Sequence, residues 1–177
     1  SAFKITHPED LEYAKTLTNL QRTGIGTDVH RFSQDQSKPL YLGTIVWENE
    51  IGLDGHSDGD ALSHAIVDAL LSAAGLGDIG TMFGTDDKQY AGENGKVFID
   101  GALAKLAENG WSVVNVSAQL IGNRPKLAPK REQVEQVLTE IIGAPVSLGA
   151  TTTDGLGFLG NSEGVAVVAT ALIESRL

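Results

Sequence analysis

The sequence predicts an α/β (α+β) fold in which a mixed β-sheet has one face covered by helices. Two observations carry this. Strand-like apolar runs rich in β-branched residues interleave along the chain with stretches of apolar residues at helical spacing. And 177 residues, 41% of them hydrophobic, make one ordinary globular domain with a substantial core. No internal repeat or low-complexity tract stands out.

The elements follow in order. Lys4 to Ala14 reads as a strand end, a helix start containing Pro8 and early acids, then a short helix. Gly24 to Phe32 reads as a strand and Pro39 to Trp47 as a hairpin-like region. Gly59 to Ala74 is the first main helix: Leu62, Ile66, Ala69, Leu70 and Ala73 give its buried face, and Gly75 stops it. Ser57 followed by Asp60 resembles a capping box at its start, with Asp in place of Glu/Gln. Thr81 to Asp87 is polar and contains Gly, so a mobile loop is expected there. A second helix spans Asn94 to Asn109, with Phe98, Leu103 and Leu106 inward and Gly110 at its end. Trp111 to Ile121 is a long Val-rich strand. A third helix runs from Pro129 to Ile142 with Val134, Val137, Leu138 and Ile141 as its stripe. Val146–Thr153 and Gly164–Ile173 are the last strands.

Composition excludes several functions. With no cysteine the chain has neither disulfides nor thiolate metal ligands. A formal charge of −10 argues against nucleic-acid binding, which asks for a basic patch. No stretch has the length of a membrane span, and the start lacks the apolar core of a signal peptide. An anionic substrate would have to be met locally, by metal ions, helix N-termini and a few Lys/Arg.

Two short stretches carry chemistry. In Asp28-Val29-His30 a strand places Asp28 and His30 on one face and Val29 on the other. In His56-Ser57-Asp58-Gly59-Asp60-Ala61-Leu62-Ser63-His64, His64 and Asp68 lie one turn apart on a flank of the helix. Asp28, His30 and His64 form a two-imidazole, one-carboxylate set, which leaves a coordination position open on a metal, as catalytic zinc requires. Read alone, the three residues are equally a chance Asp-x-His and a packed helix histidine. Asp58 and Asp60 read as structural first-turn acids. Asp68 reads either as a group orienting a ligand histidine or as a solvated helix acid.

Order and spacing take the reading further. Gly26-Thr27-Asp28-Val29-His30-Arg31-Phe32, then His56 to His64, then Leu76-Gly77-Asp78-Ile79-Gly80, resemble the 2-C-methyl-D-erythritol 2,4-cyclodiphosphate synthases of the non-mevalonate isoprenoid pathway. The resemblance covers about residues 23–177. It implies a bacterial cytoplasmic phosphorus–oxygen lyase that assembles as a homotrimer with sites at subunit interfaces. Its substrate would be a cytidine diphosphate compound, 4-diphosphocytidyl-2-C-methyl-D-erythritol 2-phosphate. Residues 1–22 lie outside that pattern and resemble the tail of the cytidylyltransferase that precedes this enzyme in some fused bacterial proteins.

Roles follow from the same resemblance. Zinc is held by Asp28, His30 and His64. Main-chain groups of His56 and Ser57 hold phosphate oxygens, although Ser57 reads equally as a helix cap. Asp78 and Gly80 contact the ribose, against a reading of Asp78 as a turn residue. The cytosine pocket maps onto Gly122 to Ala128, with Gly122, Pro125, Leu127 and Ala128 as contacts and Lys126 on phosphate. Ala150, Thr151 and Phe158 are further substrate contacts. Thr152 bridges phosphates and stabilises the transition state. Asp154, where the family often has Glu, helps hold a second ion, Mg2+ or Mn2+. Other departures are Asn161 where many members have Arg and Thr27 where some have Phe, which argue against an anion site in the trimer's central cavity. The usual Pro after Phe83 is also missing, so details of a lid do not carry over. Two other classes compete: a non-haem iron oxygenase, which shares the two-His, one-carboxylate set, and a non-enzymatic trimeric metal- or nucleotide-binding module.

Overall fold

The computed structural model describes residues 6–10, 20–55, 57–84 and 94–175. Eleven elements follow in order: β1 (Gln21–Arg31), β2 (Pro39–Leu42), β3 (Ile45–Ile51), α1 (Ala61–Ala74), α2 (Ile79–Phe83), α3 (Gly95–Glu108), β4 (Trp111–Ile121), α4 (Arg131–Ile142), β5 (Val146–Thr151), α5 (Gly157–Gly160) and β6 (Gly164–Ser175). Ahead of them, residues 8–10 are helical, and the Asp10 carboxylate accepts from the Thr6 and His7 amides at 2.9 Å each. This is the start expected at Pro8. Most of the predicted N-terminal extension lies outside the described residues.

The main sheet has the order β1-β6-β4-β5. β6 runs antiparallel to both neighbours, and β4 and β5 are parallel, so the sheet is mixed as expected. β2 and β3 form a separate hairpin. It extends to Ile51, beyond the Trp47 read from sequence. Alternation decides the faces. Val165, Val167, Ala169, Ala171 and Ile173 of β6, with Val116, Ala118 and Leu120 of β4, are buried, whereas Ile25 and Val29 of β1 are 60% and 54% exposed. The helices cover one face only.

Helix α1 lies against β1 because Gly24 and Gly26 have no side chains. A Cβ at Gly24 would sit 2.2 Å from the Ala69 carbonyl oxygen, and one at Gly26 would sit 2.1 Å from that of Ala65. Small residues on both elements, Ala65, Ala69 and Ala73 on the helix, let the backbones approach. The expected apolar face of α1 is all buried.

The start of α1 differs from the capping-box reading. Asp60, not Ser57, is the N-cap, and its side chain accepts from the Ser63 amide. The same fully buried carboxylate accepts from Gly43 N at 2.8 Å, Thr44 N at 2.7 Å and Ser63 Oγ at 2.7 Å. Asp58 accepts from the amides of Asp60 and Gly95, and burial with the nearby Asp60 charge pushes its pKa up. Both acids are structural, as expected, and together they tie the hairpin turn, α1 and α3 at one node. Four such bonds to one acceptor outcompete a lone serine cap.

Other boundaries shift for local reasons. Thr81 to Phe83 is helical rather than loop, because Asp78 caps α2 by accepting from Thr81 N; residues 85–87 of the expected loop lie outside the described residues. α4 begins at Arg131 instead of Pro129 and buries Val134, Leu138 and Ile142, with Val137 turned partly outward. β5 ends at Thr151, two residues before the expected Thr153. β6 runs on to Ser175, and the short α5 had no signal in the apolar pattern.

Candidate metal centre and substrate site

β1 points Asp28 and His30 to the same side as Gly24 and Gly26, into the flank of α1 that carries His64. The three ligand atoms lie within 4.8 Å of one another. Asp28 Oδ2 is shared: His30 Nε2 is 3.0 Å away and His64 Nδ1 is 3.1 Å away. Its other oxygen accepts from Val29 N at 2.9 Å, which fixes the carboxylate plane. All three side chains are largely but not fully buried.

Each imidazole has a partner on its far nitrogen. His30 Nδ1 donates to the Asp54 carbonyl oxygen, so its Nε2 is the atom turned to the centre. His64 Nε2 lies 3.1 Å from Ser57 Oγ, and its ring packs edge-on against Phe98 with centroids 5.5 Å apart. Neither the Asp54 carbonyl nor the Ser57 hydroxyl was read from sequence as part of the metal set. A backbone carbonyl leaves no trace in residue identity, and only the tertiary fold brings both back over the histidines.

Electrostatics fit a cation site. Burial works against ionisation of Asp28, but hydrogen bonds and charge from His30 and His64 outweigh it and hold the pKa at about 2. At His30 burial likewise opposes the charged form, and Asp28 outweighs it, so the pKa lies above the ordinary 6.5. Among the described residues this is the one cluster of three with ligand geometry.

Asp68 takes neither role expected of it. Its carboxylate, one turn beyond His64, accepts from Ile79 N at 2.8 Å, and burial pushes its pKa up. It ties the Asp78–Gly80 segment to α1. Asp78 is exposed and serves as the cap of α2, the turn role weighed for it. Ser57 is described and half-buried, while His56 lies outside the described residues.

The remaining candidates form a second group. Gly122 N donates to the Thr151 carbonyl at 3.0 Å, which joins the Gly122–Ala128 loop to the end of β5. Leu127 and Pro125 anchor that loop in the core while Lys126 and Ala128 are exposed. Asn123 Nδ2 donates to the Gly160 carbonyl at 2.6 Å, holding the turn that carries the half-exposed Phe158. Thr152 Oγ1 is 3.2 Å from Asp154 Oδ1, and Asp154 has a left-handed backbone with φ 53°. Ala150 and Thr151 are exposed at the strand end.

The sheet register separates the two groups. Val29 pairs with Ala166, Ala166 with Ile121, and Ile121 with Thr151. Three strand spacings of about 4.8 Å therefore put the Thr151 row roughly 14 Å from β1.

Comparisons with known proteins agree with this layout. The YgbB family matches residues 21–174. The bifunctional enzyme IspD/IspF of Clavibacter michiganensis is 51% identical over 98% of this chain, which spans 44% of that relative's length. The 2-C-methyl-D-erythritol 2,4-cyclodiphosphate synthase of Acidothermus cellulolyticus is 50% identical over 89% of this chain and 97% of its own. A solved structure, the CDP complex of IspF from Plasmodium falciparum, superposes with a TM-score of 0.77 at 27% identity, covering 90% of this chain and 99% of that one. The family match spans the whole sheet and its helices, and the chain belongs to the YgbB family, together with these cyclodiphosphate synthases.

Proposed function

We propose that this chain converts 4-diphosphocytidyl-2-C-methyl-D-erythritol 2-phosphate into 2-C-methyl-D-erythritol 2,4-cyclodiphosphate and CMP. An oxygen of the 2-phosphate attacks the β-phosphorus, the bond from that phosphorus to the bridging oxygen breaks, and the electron pair leaves with CMP. Such a transfer needs positioning and charge neutralisation more than covalent help. The carrying observation is the convergence of Asp28, His30 and His64 on one point, in a chain 50% identical to a synthase of that name.

The ion these ligands fit is zinc. Around tetrahedral zinc with bonds of about 2.0 Å, ligand atoms stand roughly 3.3 Å apart. The separations of 3.0 and 3.1 Å here need only a small opening. Bound there, zinc supplies a Lewis acid and a template for a β-phosphate oxygen. The protein supplies the rest. Main-chain groups of His56 and Ser57 hold phosphate oxygens, and Asp78 with Gly80 meets the ribose. Gly122 to Ala128 takes the base, with Lys126 on phosphate. Thr152 steadies the charge that develops between phosphates, and Asp154 contributes to a site for Mg2+ or Mn2+.

A homotrimer completes the site. Two observations support it: the gap of roughly 14 Å between the two groups within one chain, and the uncovered sheet face with Ile25 and Val29 exposed. A closed trimer would let the metal group of one chain meet the cytidine group of its neighbour. A cytidylyltransferase domain ahead of residue 23 is supported by the bifunctional relative. Bacterial cytoplasm is the location such a pathway enzyme fits, and among the described residues no helix is long and apolar enough to cross a membrane.

The test is turnover with metal analysis. Purified protein should carry one zinc per chain and release CMP from the substrate, and His64→Ala should lose nearly all turnover while remaining folded. CMP release at a near-normal rate by that variant would exclude the ligand assignment.

A further inference from the structure

Two ring nitrogens face the metal position, and the groups behind them differ in kind. Behind His30 is a backbone carbonyl, Asp54 O. A carbonyl only accepts, so His30 carries its proton on Nδ1 in every state. Behind His64 is a hydroxyl, Ser57 Oγ, 3.1 Å from Nε2. A hydroxyl can donate or accept.

That difference matters because His64 must change tautomer. Its Nδ1 lies 3.1 Å from Asp28 Oδ2. A carboxylate only accepts, so in the neutral ring the proton sits on Nδ1, and Nε2 accepts from the Ser57 hydroxyl. With a metal on Nδ1 the neutral ring must carry its proton on Nε2, which then donates to Ser57. We propose that Ser57 is a positioning residue whose hydroxyl reverses from donor to acceptor when His64 takes up the metal ion, keeping both tautomers satisfied.

The protons balance. One leaves Nδ1 to solvent, one is taken up at Nε2 from solvent, and Ser57 keeps its own. That O–H has then turned away from the ring. Gly59 N approaches the same oxygen at 3.4 Å, so the acceptor side of Ser57 is occupied and its proton points outward. Alanine at this position would leave a half-buried Nε2 without a partner in one state and without an acceptor in the other.

The inference rests on the metal reading above, and one experiment separates the two. Side-chain 15N NMR of the histidines, recorded at a pH where both rings are neutral, reads the tautomers in the metal-free and zinc-loaded protein. His64 should be Nδ1–H without zinc and Nε2–H with it, while His30 remains Nδ1–H without zinc and with it. In competition with a zinc chelator, Ser57→Ala should bind zinc about tenfold to a hundredfold more weakly, the range typical of lost outer-shell partners. Ser57→Thr, which keeps the hydroxyl, should restore most of that loss. Circular dichroism of the metal-free variants should match wild type, a readout that general unfolding would move. Equal zinc affinity in Ser57→Ala and wild type, or a His64 already Nε2–H without zinc, overturns the role of Ser57 alone. Failure of the wild type to bind zinc overturns the metal reading with it.

Discussion

Asp28 carries two histidines on a single oxygen, and this sets how the metal-free protein responds to pH. Its pKa, held at about 2 against an ordinary 3.8, means its contribution to stability is complete above 3.8 and lost as pH falls from there towards 2. His30 is shifted the other way. Its contribution is complete below 6.5 and is lost as pH rises through its raised value. The two shifts express one contact and count once. Urea midpoints of the metal-free protein should therefore hold between these limits and fall on both sides. His30→Asn should remove most of the alkaline fall while leaving His64 to hold up part of the acid limb. An alkaline limb identical in wild type and variant would show that the pair does not couple to folding.

At the scale of elements, the site exists because α1 sits directly on β1. Gly26 is two residues before Asp28 on the same strand face, and its missing Cβ would meet the Ala65 carbonyl oxygen at 2.1 Å and Ala69 N at 2.4 Å, both helix backbone. Backbone cannot rotate away as a side chain can. Gly26→Ala should therefore push the helix outward, cost about 1–3 kcal/mol or more in stability, and move His64 off Asp28. The expected signature is joint: a lower denaturation midpoint together with weaker zinc binding. Gly110, whose Cβ would meet nothing within 4 Å but whose φ is +75°, gives the comparison, since Gly110→Ala should cost stability through backbone strain and leave zinc affinity alone. Normal zinc affinity in Gly26→Ala would mean that the strand–helix distance does not set the metal geometry.

For the whole molecule the question is whether one chain holds one site. If neighbours share sites in a closed trimer, each joins a metal half from one chain to a cytidine half from the next. Chains with His64→Ala and chains with Thr152→Ala should each be inactive alone. Randomly co-assembled in equal amounts, they restore a complete site at about a quarter of interfaces, because each half is intact with a chance of one half. Activity near a quarter of wild type is the expected outcome. Mixed trimers confirmed by mass and no more active than their parents would place the whole site within one chain.

Much of this was legible in the residues. Alternation put Asp28 and His30 on one strand face, helical spacing gave the buried side of α1, and β4 was bounded correctly from Trp111 to Ile121. These are local periodicities, and local geometry enforces them wherever the chain goes. The residue types also brought His64 into the set as one reading among others, and the resemblance of its motifs strengthened it, since its approach to β1 is a matter of packing. What the tertiary structure alone decided is long-range. It chose Asp60 over Ser57 as the helix cap, because the hairpin turn at Gly43 and Thr44 supplies two amides from outside the local segment. It turned Asp68 to the Ile79 amide and placed Asp54 O and Ser57 Oγ behind the two histidines. It also spread the Asp28–His30–His64 cluster and the Thr151 end of β5 across three strand spacings, which follows from the order β1-β6-β4-β5. Hydrogen-bond partners and distances between remote segments depend on how the whole chain closes, and no short-range pattern encodes that.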